Sequence, residues 1–228
     1  MRGKIKHIFF DLDHTLWDFD RNSKLAFEAL FNQYSIDLDL SKFLAIYEPI
    51  NYAYWAKFRV EEISKLDLRR GRLSDSFAVF ERVFSETELD AMAETYIEEL
   101  PKNNHLFDGV MQTLEELSPN YTLHIITNGF HEVQHNKLHK SGLKPYFSTV
   151  TTSEEVGLKK PNPVIFQKAL EKAQAEPQES LMVGDTFEAD ILGAEALGMH
   201  TLFYNYWSVE VPDQYSIISN IREIKLHL

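Results

Sequence analysis

Short apolar runs alternate along the chain with segments whose apolar positions recur at helical spacing. The first run, Ile5-Lys-His-Ile-Phe-Phe-Asp11, is rich in β-formers and ends in carboxylates. That is the pattern of a buried strand delivering acidic side chains at its C-terminal end. Leu123–Thr127, Ser148–Thr152, Leu181–Asp185 and His200–Tyr204 read the same way. Between them the spacing predicts helices over Val110–Leu117, His131–Lys140, Val164–Ala173 and Ala189–Leu197. Strand and helix in alternation imply an α/β fold, a parallel sheet with helices on both faces.

From about Asp18 to Asn104 the rhythm changes. Leu25, Leu30, Phe31 and Tyr34 fall at helical spacings, as do Tyr47, Ile50, Tyr54, Trp55 and Phe58, then Phe77, Phe80 and Val83, and later Met92, Tyr96 and Ile97. No strand pattern interrupts them. The expectation is an all-helical insert over residues 18–104, left near Pro101 to His105 and carried by a core made of residues 1–17 and 105–228.

Composition narrows the partners. Hydrophobic residues make up 44% of the 228 and charged residues 25%, the balance of an ordinary globular chain. No apolar stretch approaches the roughly 20 residues of a membrane span, and Met1-Arg-Gly-Lys-Ile-Lys-His runs into the first strand pattern without a cleavage region, so a cytoplasmic protein is expected. The absence of cysteine excludes disulfides and thiolate metal sites. With 35 acidic residues against 23 basic ones, the formal charge of −12 repels a polynucleotide, and Lys159-Lys160 and Arg69-Arg70-Gly71-Arg72 are too short to compensate. A small phosphate ester is a different matter, because a bound cation and a few placed donors set the field inside a cleft.

The acidic strand ends carry the candidate chemistry. Asp11 and Asp13 stand at the end of the first run, where neighbouring carboxylates need a cation, a shared proton or a donor. Gly184-Asp185-Thr186-Phe187-Glu188-Ala189-Asp190 repeats the arrangement after a later strand. If those strands are neighbours, Asp11 and Asp185 converge on one hard cation suited to oxygen ligands, Mg²⁺. Thr127-Asn128-Gly129 and Lys160-Pro161 close two further strand–loop units, and a hydroxyl, main-chain N–H groups and an ammonium together suit phosphate oxygens.

Taken in order, Asp11-Leu-Asp13-His-Thr15, Ile126-Thr127-Asn128-Gly129, Lys160-Pro161 and Gly184-Asp185 through Asp190 resemble the four motifs of the haloacid dehalogenase-like hydrolases. The resemblance implies a Rossmann-like core with a type I helical cap closing over the leaving group. It implies Asp11 as nucleophile and Asp13 as general acid and then base. It also implies Thr127, Asn128 and Lys160 on the phosphoryl group, Mg²⁺ held by Asp11, Asp185 and the Asp13 carbonyl, and Asp190 in support. The expected activity is hydrolysis of a small phosphate monoester through an aspartyl phosphate. His14, where most such relatives have glycine, together with Trp17-Asp18-Phe19 and Ser153-Glu-Glu-Val-Gly157, most resembles the branch of pyrimidine or noncanonical nucleoside 5′-monophosphatases. Phosphoglycolate or a sugar phosphate is the alternative substrate. Asn51, Trp55 and Arg72, with Tyr54 and Phe58, are the insert's candidates for contacting the leaving group, each weighed against ordinary packing or a surface ion pair.

Two rival readings compete. His131-Glu132-Val133-Gln134-His135 matches the H-E-x-x-H pattern of zinc metalloproteases, with Glu154 imaginable as a further ligand and His139 extending the stripe; its bland reading is a solvated helix surface. The other rival is a binding protein that retains the fold without turnover, against which the complete set of acids, threonine and lysine argues.

Overall fold

The computed structural model describes residues 5–228, which divide into two compact units: one formed by the chain up to Phe19 with Asn104–Leu228, the other by Asp20–Asn103. The first unit carries a parallel sheet of six strands, β1 (His7–Phe10), β2 (Thr122–Thr127), β3 (Phe147–Thr152), β4 (Ser180–Gly184), β5 (His200–Tyr204) and β6 (Ile217–Ile218), in the order β3-β2-β1-β4-β5-β6. β1 therefore lies between β2 and β4, with Phe10 level with Ile125 on one side and Val183 on the other. The strand order reverses here, and in an open parallel sheet ligands collect at the carboxyl ends beside such a reversal.

Ile8, Phe9 and Phe10 are all fully buried. Successive side chains of a strand point to opposite faces, so β1 is covered on both, and its sequence is apolar throughout for that reason. The helical stretch comprises α1 (Phe19–Gln33), α2 (Leu40–Arg59), α3 (Lys65–Ala78) and α4 (Glu86–Glu99), and the helices of the sheet-bearing unit are α5 (Val110–Leu117), α6 (His131–Lys140), α7 (Ser153–Val156), α8 (Pro163–Ala173) and α9 (Gly193–Glu195). Of these, α8 packs Ile165, Phe166, Ala169 and Leu170 against Phe9, Ile126 and Met182 of the sheet.

The helical unit is defined by its caps and its aromatic interior. Ser64 and Ser85 each cap a helix by accepting from the main-chain N–H three residues on while Asp67 or Glu88 accepts from the cap's own N–H. Such reciprocal caps satisfy donors that the first turn leaves unpaired. Phe27, Phe43, Tyr47, Phe77 and Tyr96 are buried together, with the ring of Phe27 4.5 Å from Tyr47 and 4.7 Å from Tyr96. Among the described residues, no helix is long and apolar enough to cross a membrane.

Two elements differ from the sequence expectation. The helix expected from Ala189 instead winds as a π-helix over Phe187–Leu192 before the short α9. The wider turn sits where Asp190 turns its carboxylate back to accept from the Thr186 N–H at 3.0 Å, and single π turns often mark such sites. The two-residue edge strand β6 is too short to leave a period in the sequence.

Candidate active site

Asp11 is the first residue past β1, and its N–H donates to the carbonyl of Val183 in β4 at 2.9 Å. Thr127 closes β2 and Asp185 follows β4, so parallel pairing alone sets these three groups side by side at the carboxyl end of the central strands. Lys160 arrives from the loop before α8. Its Nζ, 2% exposed, reaches Asp11 Oδ1 at 2.5 Å, Asp190 Oδ1 at 2.6 Å and the Ile126 carbonyl at 2.8 Å. Asn128 fixes this loop through both ends of its amide: Nδ2 donates to the Lys160 carbonyl at 2.9 Å and Oδ1 accepts from the Lys160 N–H at 2.8 Å. Gly184 lets Asp190 approach, since a Cβ there would run into the Asp190 carboxylate.

Electrostatics marks the same spot. Burial pushes the Asp11 carboxyl well above the usual range, Lys160 draws it back in part, and Asp190 and Asp185 raise it further. Burial likewise lifts Asp185 to about 6, opposed by His14 and by the Trp207 indole. Burial lowers the Lys160 pKa, yet Asp11 and Asp190 outweigh it and hold that pKa above the ordinary lysine value. Asp11, Asp13, Asp185 and Asp190 meet the ammonium groups of Lys137 and Lys160, a formal excess of two negative charges when all six are ionised, with the His14 imidazole beside Asp185. Hard carboxylate oxygens with that excess fit a divalent cation of the magnesium type, which takes one or two carboxylates and fills its shell with water and substrate oxygens.

Several members of the site carry no sequence signal. Thr15, fully buried, donates from Oγ1 to Asp185 Oδ1 at 3.3 Å, and Trp207 donates from Nε1 to Asp185 Oδ2 at 2.9 Å. Trp207 lies in an irregular segment after β5, where periodicity says nothing. Asp13 accepts from Lys137 Nζ at 2.6 Å and from Gln134 Nε2 at 3.0 Å. Thr127 Oγ1 accepts from Gln134 Nε2 at 2.7 Å and from the Gly129 N–H at 3.1 Å. His14 has φ 59°, the left-handed region that glycine enters most readily, which accounts for the glycine expected at this position. Its ring is held within 4.8–5.0 Å of Phe19, Tyr206 and Trp207.

The zinc-protease reading is corrected here. His131 and His135 do stack on α6, with centroids 4.4 Å apart, but the His131 ring pairs with Thr152 Oγ1 at 3.0 Å and Glu154 accepts from the His131 N–H at 2.6 Å. Among the described residues, no three His, Cys, Asp or Glu side chains form a metal cage. A zincin needs such a protein cage, whereas magnesium does not. His131, Glu132 and His139 are exposed, the solvated surface that the bland reading expects, while Gln134 and Lys137 are buried on the inner face of α6. In the helical unit, Asn51 and Arg72 are buried and bonded to each other, Arg72 Nη1 to Asn51 Oδ1 at 2.8 Å, with the guanidinium 5.1 Å from the Tyr96 ring centroid. Trp55 is half-buried, its ring 5.6 Å from Phe58, and Tyr54 donates to Asp75 at 2.7 Å.

A family model described as haloacid dehalogenase-like hydrolase matches residues 8–204. The chain is 36% identical over 208 residues to the pyrimidine 5′-nucleotidase YjjG of Escherichia coli, covering 90% of this chain and 88% of that one. It is 33% identical over 202 residues to the pyrimidine 5′-nucleotidase PynA of Streptococcus pneumoniae, covering 88% and 84%. Its fold matches the crystal structure of the HAD-hydrolase YfnB from Bacillus subtilis bound to magnesium with a TM-score of 0.90 at 26% identity over 99% of both chains.

Proposed function

The chain belongs to the haloacid dehalogenase-like hydrolases, and from that premise we propose that it is a magnesium-dependent phosphatase acting on nucleoside 5′-monophosphates, pyrimidine ones first. The observation that carries the chemistry is the buried Lys160 ammonium shared by Asp11 and Asp190 at the strand ends, with Asp185 beside them. The names of the two nucleotidase relatives support the substrate class.

An Asp11 oxygen attacks phosphorus, forming an acyl phosphate as the bond to the leaving oxygen breaks. Asp13 gives that oxygen its proton, and then takes a proton from the water that attacks phosphorus and returns Asp11 as carboxylate. Lys160 neutralises charge on the phosphoryl oxygens, and the Thr127 hydroxyl orients them. The Asn128 side chain is committed to the Lys160 loop, so its part in binding phosphate falls to its main chain. Asp11, Asp185 and the Asp13 carbonyl would hold Mg²⁺, which supplies further charge neutralisation of the transferring group.

Phosphate release by the purified protein over a panel of nucleotides, phosphoglycolate and sugar phosphates tests this reading. We expect activity with Mg²⁺, loss on adding EDTA, recovery on restoring Mg²⁺, and the highest kcat/KM on pyrimidine nucleotides. A panel led by phosphoglycolate or a sugar phosphate rejects the nucleotidase assignment and leaves the phosphatase standing.

A further inference from the structure

Helix α6 brings to the site two side chains that none of these steps uses. The Lys137 ammonium, on a side chain 2% exposed, holds Asp13 Oδ1 at 2.6 Å, and the fully buried Gln134 holds Asp13 Oδ2 at 3.0 Å. Positions three apart share a helix face, so one face of α6 grips both oxygens of one carboxylate. The same Gln134 amide donates to Thr127 Oγ1 at 2.7 Å. A single side chain therefore ties the acid–base candidate to the phosphate-binding candidate.

Three features indicate that the donors serve Asp13 and not the reverse. First, the Asp13 side chain is 22% exposed while both donors are buried, so the carboxylate alone reaches the open side of the site. Second, Gln134 leaves its buried Oε1 without a partner in order to place its N–H groups on Asp13 and Thr127. Natural interiors rarely leave such an atom unpaired, and exceptions concentrate at functional sites. Third, the ammonium is further embedded against aromatic faces, 4.2 Å from the Trp17 ring centroid and 5.2 Å from that of Phe19. Gly129 makes room for the arrangement, since a Cβ there would collide with the Gln134 amide.

We propose that Lys137 and Gln134 are positioning residues that fix Asp13 for proton transfer to the leaving oxygen and lock its placement to that of Thr127; this rests on the phosphatase reading above. A carboxyl held by two donors keeps its orientation between turnovers, and orientation of a reacting group accounts for much of what an enzyme gains over solution. As the bond from phosphorus to the leaving oxygen breaks, its electron pair goes to that oxygen and the proton comes from Asp13. The Lys137 ammonium stays protonated and faces the carboxylate left behind.

The test uses the purified full chain with Mg²⁺, as wild type, Lys137→Met, Asp13→Asn and the double variant. One substrate is a nucleoside 5′-monophosphate, whose alkoxide needs a proton to leave, and the other is p-nitrophenyl phosphate, whose aryloxide leaves readily without one. We expect Lys137→Met to lower kcat/KM on the nucleotide, which reports the steps up to loss of the leaving group, about 10-fold to 100-fold, part of the roughly 10²–10⁴ that a placed acid contributes. On the aryl phosphate kcat/KM should lose a much smaller factor, while both substrates share any loss of kcat that arises when Asp13 acts as base toward the common aspartyl phosphate, and Lys137→Met should add almost nothing to Asp13→Asn. Residues acting through one group are non-additive, whereas a general loss of structure adds to any background. Equal losses of kcat/KM on both substrates, or a full additional loss on the Asp13→Asn background, would overturn the proposal, as would an undiminished nucleotide kcat/KM. Where a thermal melt shows Lys137→Met unfolded, Gln134→Leu carries the same comparison, with Lys137→Arg expected to restore part of the nucleotide rate. Wild type and Asp11→Asn alone judge the phosphatase reading, so its failure is told apart from failure of this one.

Discussion

In the sheet-bearing unit the buried charges lie together: Asp11, Lys137, Lys160, Asp185 and Asp190 are all within the interior at the carboxyl end of the sheet. In the helical unit the buried polar residues are Asn22, Ser23, Asn51, Arg72, Ser76 and Thr95, of which Arg72 alone is charged. They are dispersed among aromatic rings and bond locally, as in Ser23 Oγ to Tyr96 Oη at 2.8 Å, although Arg72 Nε is left without a partner. One unit concentrates like charges at a cost in folding free energy, which is how a reactive site looks before its ligands arrive. The other is built as a packed interior. The difference suits the first unit to the chemistry, and the cap that the family resemblance implies would leave selection of the leaving group to the second.

The sharpest way to break this assignment is Asp11→Asn. Turnover should fall by about 10⁴-fold or more, the scale seen when a member of a catalytic constellation is removed. Stability should hold or rise, because one buried carboxylate beside Asp185 and Asp190 has been neutralised. A thermal melt and phosphate release on the same preparation, with deamidation excluded by mass, read both. A rate near wild type would end the nucleophile assignment.

Selection by the helical unit predicts a smaller and substrate-dependent effect. Stacking of a base on an aromatic ring is worth about 1–3 kcal/mol, so Trp55→Ala should cost nucleotide kcat/KM roughly 5-fold to 150-fold. A small aryl phosphate, which needs no base contact, should be spared. Arg72→Ala should behave differently, since it leaves the buried Asn51 without its donor. We expect a loss of about 1–3 kcal/mol of stability in denaturant melts, and equal losses on both substrates in whatever remains folded. Selective loss of nucleotide activity in Arg72→Ala would instead make Arg72 a reader of the leaving group.

The smallest effect separates a buried titratable group from those of the site. His124 is 1% exposed, stacked 4.5 Å from Phe9, and its pKa is pushed by burial, with a further contribution from His7, from the usual 6.5 to about 4. Between these values the unfolded chain binds a proton that the folded chain does not, so His124 contributes stability above pH 6.5 that is lost as pH falls toward 4. The slope is at most about 1.4 kcal/mol per pH unit. Asp185, raised by burial, acts in the opposite direction over part of the same range, so the comparison must be between variants. Stability of His124→Gln should fall less steeply on acidification than that of wild type, and equal slopes would remove His124 from the account.

Much of this was legible in the chain. Apolar runs ending in acid located β1 and β4, and β1 pairs directly with β4, as convergence of Asp11 and Asp185 requires. The helical stretch was legible from its aromatic spacing. What escaped did so for identifiable reasons. Lys137 and Gln134 are residue types that usually face solvent, so the stripe His131, His135, His139 drew attention to the outer side of α6 while the chemistry lay on the inner side. Trp207 reaches Asp185 from a segment without period, and Thr15 does so from the turn after β1. The π-helix at Phe187–Leu192 coincides with the hydrogen bond from the Thr186 N–H to the Asp190 carboxylate, a local arrangement that helix propensity does not record.

The central claim, that Asp11 carries the phosphoryl group in transit, has a direct test. Asp13→Asn protein is mixed with Mg²⁺ and p-nitrophenyl phosphate, a substrate whose leaving group needs little help, quenched in acid, digested and examined by mass spectrometry. The account predicts one added phosphoryl group on the peptide containing Asp11, located at that residue by fragmentation and absent when Asp11→Asn is also present. A phosphoryl group on any other residue, or a burst of p-nitrophenol from protein that never acquires one, would contradict it.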